Sequence, residues 1–197
     1  MKPKRIIVGI SGASGIIYGV RLLEALGGVA DVETHLVMSA AAATTLRLET
    51  DYTVDEVTAL ADVSYGFKNI AAAIASGSFK TAGMVVAPCS MKTLAGIAHS
   101  FSDNLLLRAA DVALKDRRRL ILLTRETPLH LGHLRLMVQV TELGGIILPP
   151  MPAFYHRPQT IDDIVNQTVN RALDLLEIEL TEDLFRRWQG GDHANQR

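Results

Sequence analysis

The stretch RIIVGISGASGIIYGVRLLEAL, residues 5–26, decides how the chain is read. Residues 5–10 (RIIVGI) have the β-branched, near-continuous apolar character of a strand buried on both faces. Ser11-Gly12-Ala13-Ser14-Gly15 follows as a turn, where glycines let a backbone approach an anion closely. From residue 15 to residue 27, Ile16, Val20 and Leu23 recur on one side of a predicted helix. A helix that starts at such a turn points free N–H groups into it, which makes a cradle for a phosphate. The dinucleotide fingerprint G-x-G-x-x-G fails here, because residue 10 is Ile. The predicted second strand also ends at Met38-Ser39, where a dinucleotide site wants an acid for the ribose. A mononucleotide or a simple phosphate suits the turn better, and a plain tight turn is the bland alternative.

Outward from this unit, strands and helices alternate. Strands are predicted at 32–38, 83–90 (ended by Pro88), 119–126 and 144–150. Helices are predicted at 40–49, 103–116 (capped by Ser102 or Asp103) and 130–143. Thr160-Ile-Asp-Asp163 reads as a capping box that starts a helix running to about Glu177. Residues 52–82 are less regular, with a short strand near Val63–Tyr65 and a helix near 69–76. The pattern predicts an α/β fold: a Rossmann-like three-layer sandwich with a mainly parallel sheet and helices on both faces. Residues 1–190 read as a single domain, and residues 191–197, within QGGDHANQR, read as a disordered tail.

Bulk properties narrow the function. The net charge of −1 leaves no polyanion-binding footprint, which argues against nucleic acid. A single cysteine, Cys89, allows no internal disulfide and suits a reducing compartment. No apolar run approaches the roughly 18 residues of a membrane helix. The start, basic then briefly apolar, gives way to glycines too soon for a signal peptide. The cytoplasm is the expected location.

In parallel α/β sheets ligands bind beyond the carboxyl ends of the strands, so candidate residues are sought there. Ser39 stands after the second strand. Ser90-Met91-Lys92-Thr93 follows the third confident strand, with two hydroxyls at a helix start that cap it or bind a phosphate. Cys89 in that position reads better as a small buried residue than as a nucleophile. Arg125 and Glu126 follow the next strand; Arg suits bidentate phosphate binding, and a Glu in a cleft can move protons. Glu49 ends a helix, where the dipole disfavours a carboxylate, so it is either solvated or held in a cleft. Arg108 and Lys115 lie seven apart on one predicted helix, and Arg117 to Arg119 receive no role. His130 and His133 are three apart but lack companions at ligand spacing, so no metal site is read. Residues 149–158 (PPMPAFYHRP) form a stiff loop, suited to a lid or a subunit contact.

These segments together resemble one family. GISGASGIIYGVRLL, ETHLVMS, LET, PCSMKTLAGI, RAADVALK, RETPLHLGHL and PPMPAFYHRPQTIDD are similar, in order, to the UbiX-type flavin prenyltransferases. The resemblance runs from residue 5 to about 190. It implies a Rossmann-like fold that binds FMN and assembles as a homododecamer built of trimers. It implies transfer of a dimethylallyl group from dimethylallyl monophosphate to N5 and C6 of reduced FMN, without a metal. The implied product, prenylated FMN, serves a UbiD-type decarboxylase in ubiquinone synthesis or aromatic acid decarboxylation.

Residue by residue, the resemblance assigns Gly12, Ala13, Ser14, Ser39, Ser90, Met91, Lys92, Thr93 and Arg125 to FMN. Tyr155 and Arg171, with Arg108 and Lys115, are assigned to the dimethylallyl phosphate. Glu49 and Glu126 are assigned to proton transfer, with Ser14 near the reacting flavin edge, and Trp188 to an aromatic that helps cover the site. Two other readings compete. One is an FMN-dependent decarboxylase acting directly, whose early His and Met-rich Asn motif are missing here. The other is a non-catalytic FMN carrier, which has no use for the second set of cations.

Overall fold

The computed structural model describes residues 3–190; the tail expected at 191–197 lies outside the described residues. Six strands form one sheet in the order β3-β2-β1-β4-β5-β6. They are β1 (Lys4–Ile10), β2 (Val32–Met38), β3 (Val63–Tyr65), β4 (Gly83–Cys89), β5 (Arg119–Thr124) and β6 (Ile146–Ile147). Every pairing is parallel. The expected Rossmann-like order is therefore present, with the reversal of strand order between β1 and β4.

Alternation along the strands builds two cores. Ile6, Val8 and Ile10 of β1 face α1 (Ile16–Gly27), α2 (Ala40–Glu49) and α7 (Ile161–Leu175). Ile7, with Met84 and Val86 of β4, faces α4 (Met91–Ala98), α5 (Leu105–Lys115) and α6 (Leu131–Glu142). Helices on both faces cover the sheet, which is why its central strands read as unbroken apolar runs.

Four local expectations differ. Pro88 does not end β4, which continues to Cys89 with a shift of register between Val86 and Cys89. A proline is tolerated there because the ladder breaks where its missing N–H would donate. Residues 69–76 form only a 3₁₀ turn at Ala73–Ala75. Alanine favours a helix, but only Ile74 of that turn is buried, too little to offset the cost of nucleation. The strand expected over 144–150 shortens to Ile146–Ile147, since Pro149 and Pro150 donate nothing to an edge ladder. α5 starts later than expected, with Asn104 as its cap. A six-residue helix, α3 (Val54–Ala59), forms in the irregular region behind a Thr53/Glu56 capping box. The capping box at Thr160 and Asp163 forms as the sequence predicts.

Candidate active site at the strand ends

The carboxyl ends of β1, β2, β4 and β5 are stitched together by short polar contacts. The Ser11 hydroxyl donates to the Pro88 carbonyl at 2.8 Å and accepts the Ser90 N–H at 2.8 Å. The Ser39 N–H donates to the Ile10 carbonyl at 3.0 Å, and the Arg125 N–H donates to the Cys89 carbonyl at 3.1 Å. Four sequence-distant turns thus become one surface. Ser11 was not singled out by sequence reasoning; it looked like one more turn serine.

The glycine turn has a tight geometry. Gly15 has φ of 94°, a conformation costly for a side chain. A Cβ on Gly12 would lie 2.3 Å from the Ala41 Cβ, so the turn packs directly on α2. The anion at the start of α1 is the protein's own. Glu49 Oε2 accepts the N–H of Gly15 at 2.8 Å and of Ile16 at 3.1 Å. The cradle read from residues 11–15 therefore holds a carboxylate. Partial burial pushes the Glu49 pKa up, but the Ser14 hydroxyl, the Ile16 and Gly15 amides and the charge of Arg125 outweigh it. The net direction is down, so Glu49 is held ionised. Its unfavourable place at the C-terminus of α2 is resolved by the N-terminus of α1.

The other helix starts remain available. Ser39 caps α2 by accepting the Ala42 N–H at 3.0 Å. Ser90 caps α4 by accepting the Thr93 N–H at 3.3 Å, and its hydroxyl donates to the Thr93 hydroxyl at 3.1 Å. The first amides of α4, at Met91 and Lys92, have no intrahelical acceptor, as at any helix start. Amides, two hydroxyls and the Lys92 ammonium form a donor set suited to a phosphate monoester. At the end of β5, the buried Thr124 hydroxyl has no partner among the described residues. These groups fit a flavin mononucleotide.

The remaining candidates separate. Ser14, Glu49, Arg125 and Glu126 are exposed at the mouth of the crevice, so its outer side is open in the lone protomer. Glu126 accepts the Thr127 N–H at 3.1 Å. Arg108 reaches from α5 to the Ala75 carbonyl at 3.1 Å and to Asp111 at 2.8 Å. Lys115 closes α5 near the amino end of β5, paired with Asp116 at 2.6 Å. Arg171 pairs with Asp174 at 2.9 Å on α7. Tyr155 packs edge-on against Trp188, with ring centres 5.8 Å apart. Among the described residues, no hydrogen bond or ion pair joins Lys115, Tyr155 or Arg171 to the glycine-turn cluster. Cys89 is fully buried, and burial pushes its thiol far up, which rules against a nucleophile. The His130 and His133 rings lie 3.6 Å apart, and among the described residues no three potential metal ligands converge.

A parallel sheet of this order, with hydroxyl-capped helix starts on both sides of the β1/β4 crevice, defines a nucleotide-binding α/β protein of the flavoprotein class. The Flavoprotein family model matches residues 1–173. Among curated proteins, the flavin prenyltransferase UbiX of Escherichia coli K12 is 67% identical over 187 residues, spanning 95% of this chain and 99% of that protein. The UbiX of Thauera aromatica is 58% identical over 188 residues, spanning 95% of each. A crystal structure of AnUbiX (PadA1) with FMN and dimethylallyl pyrophosphate superposes with a TM-score of 0.93 at 48% identity, covering 96% of this chain and all of that one. A dodecameric FMN-dependent UbiX-like decarboxylase from Escherichia coli O157:H7 superposes with a TM-score of 0.91 at 52% identity, covering 94% and 100%. The chain belongs to the UbiX-type flavin prenyltransferases. The FMN-dependent cysteine decarboxylase SpaF, at 18% identity and a TM-score of 0.60, shares the fold alone.

Proposed function

We propose that this chain joins the dimethylallyl group of dimethylallyl monophosphate to N5 and C6 of reduced FMN. The observation that carries the reading is the β1/β4 crevice itself, where the open helix starts at Ser39 and Ser90 flank the Ser14–Glu49–Arg125 cluster. Ser39, Ser90 to Thr93 and Arg125 hold the flavin, with Gly12 and Ala13 supplying close backbone approach. Arg108, Lys115, Tyr155 and Arg171 hold the prenyl phosphate. Lys115, Tyr155 and Arg171 reach it from an adjoining protomer, since within one protomer no described hydrogen bond or ion pair ties them to the glycine turn. That arrangement needs an oligomer, and a dodecamer of trimers supplies it.

The chemistry asks three things of these residues. Cleavage of the allylic C–O bond builds negative charge on the departing phosphate, which Arg and Lys donors stabilise most strongly where water is excluded. The flavin and the prenyl group must be held in reacting geometry. Closing the ring requires the prenyl double bond to take up a proton at C2 while C3 bonds to flavin C6 and C6 gives up its proton, and the bound phosphate or a nearby carboxylate carries these protons. Glu49, ionised and hydrogen-bonded to Ser14, is equipped to accept a proton through that hydroxyl; Glu126 offers a second, exposed carboxylate. The product is prenylated FMN, passed to a UbiD-type decarboxylase in ubiquinone synthesis or aromatic acid decarboxylation. The reaction runs in the cytoplasm, consistent with a lone buried thiol and with no described helix long and apolar enough to cross a membrane.

Anaerobic mixing of the protein with reduced FMN and dimethylallyl monophosphate, followed by mass spectrometry of the extracted flavin, tests the reading. A gain of one C5 unit is expected. Unchanged FMN on folded, flavin-bound protein refutes it, and favours a direct decarboxylase or a carrier.

A further inference from the structure

The C-terminal segment is tied to α7 by a cluster that the reaction as described does not use. Arg187 forks between two carboxylates. It donates to Asp174 at 2.9 and 2.8 Å and to Asp183 at 2.6 and 2.6 Å. Asp174 also accepts Arg171 Nη1 at 2.9 Å, on the same Oδ2 that receives Arg187. Next to it the buried Asn170 accepts the Leu184 N–H at 2.8 Å and donates to Asp174 at 3.3 Å. One face of α7 therefore fixes residues 183–187. The following residue, Trp188, lies against Tyr155, and Phe185 packs on Tyr155 and His156 with ring centres 6.5 and 5.7 Å away.

Single exposed ion pairs contribute little. A planar guanidinium gripping two carboxylates at once is different, because it dictates orientation. Two arginines here compete for one carboxylate. Arg187 takes both oxygens of Asp174, which leaves Arg171 a single contact and most of its donors free. Without Arg187, Oδ1 of Asp174 keeps only the 3.3 Å bond from Asn170, and Arg171 closes on it as a bidentate pair. Its charge is then neutralised locally and turned away from any other anion.

We propose that Arg187 is a positioning residue for the prenyl phosphate: by occupying Asp174 it keeps Arg171 available, and by anchoring residues 183–187 it sets Trp188 and Phe185 behind Tyr155. This rests on the reading above, in which Arg171 and Tyr155 bind that phosphate. Among the arginines near the C-terminus, Arg187 is the one bound on both sides by carboxylates, while Arg186 has no ion pair among the described residues.

The test is steady-state kinetics of the full-length protein with dimethylallyl monophosphate at saturating reduced FMN. Arg187→Gln is expected to raise KM for the prenyl phosphate about tenfold, the loss of one well-aimed charged contact. FMN affinity and kcat stay within about twofold, since the flavin groups lie elsewhere. The chain has one tryptophan, so anisotropy of its emission reports the segment directly, and it falls in the variant. Arg187→Lys, which keeps a charge but not the fork, gives the same changes at smaller size. The double variant Arg187→Gln/Asp174→Asn removes the competing carboxylate and recovers part of the lost KM. An unchanged KM in Arg187→Gln, or a double variant no better than the single one, overturns the proposal. Wild-type protein that fails to prenylate FMN refutes the function itself, which is a separate result from a wild type that works beside an unaffected Arg187→Gln.

Discussion

Glu49 caps the start of α1 and is proposed to move a proton in the reaction, and substitution separates the two. Its carboxylate accepts the Gly15 and Ile16 amides and the Ser14 hydroxyl, and so acts as the N-terminal cap of α1 that Gly15 lacks a side chain to provide. Glu49→Ala removes that cap and the charge at the helix start. The cap accounts for about 1 kcal/mol and the charge for about 0.5 kcal/mol. For a chain of this size that lowers Tm by about 3–6 °C. Glu49→Gln keeps an acceptor and loses only the charge, so its Tm falls by about 1–2 °C. Activity divides differently. If Glu49 moves a proton, both variants lose about 10²-fold or more in prenylation rate, although glutamine preserves most of the stability. Thermal denaturation at fixed protomer concentration and mass-spectrometric rates of flavin prenylation read the two effects. The pKa of Glu49 is depressed in the folded chain, so its stabilising contribution is present above the ordinary carboxylate range. It is lost as pH falls through the depressed value. The gap between wild type and Glu49→Ala therefore holds near neutral pH and closes in acid. A glutamine variant that prenylates at the wild-type rate removes Glu49 from the chemistry. An alanine variant that melts with the wild type removes it from the cap.

Three further outcomes follow from the packing. Gly12→Ala places a methyl 2.3 Å from the Ala41 Cβ and 2.9 Å from its backbone carbon; stability drops by about 1–3 kcal/mol in urea denaturation, and flavin titration shows weaker FMN binding. Ser90→Ala removes the α4 cap and the partner of the Thr93 hydroxyl, with about 1 kcal/mol lost and a raised Kd for FMN in the same two assays. His35 is buried, and desolvation lowers its pKa despite the opposing Glu33 hydrogen bond. Because the unfolded chain takes the proton first, stability is complete above the ordinary histidine range and falls as pH drops through it. Urea midpoints measured from pH 8 to 5.5 are expected to fall in the wild type and to stay flatter in His35→Asn.

The sheet was legible because its strands are short apolar runs bounded by glycine, proline and hydroxyl residues, and because β1's turn and the Thr160 capping box are local signals. The Thr53-x-x-Glu56 box was equally local, but the helix behind it buries only Val57, so no apolar period announced it. The strand ends pointed to Ser39, Ser90 and Arg125 by topology alone. What sequence could not reveal is which acid fills the start of α1. Glu49 lies 34 positions from Gly15 and meets it only because α2 packs against the glycine turn. Nor could sequence show the local partners of two assigned cations: Lys115 pairs with Asp116 at the end of α5, and Arg171 pairs with Asp174 on α7.

Of the six strands of the sheet β1 leaves the ribosome first, and it lies at the centre of the finished sheet. One side pairs at once with β2, from Lys4↔Val32 to Ile10↔Met38. The other side waits for Gly83 to Val86 of β4. Until then the nascent chain carries an unpaired edge of N–H and C=O groups on a mainly apolar strand, the kind of surface that recruits other strands. Synthesis of the segment from β2 to β4 therefore sets a window of aggregation risk. The Ser11 hydroxyl, bonded to both Pro88 and Ser90, can engage only after that window closes, so the crevice cannot form before β4 is in place.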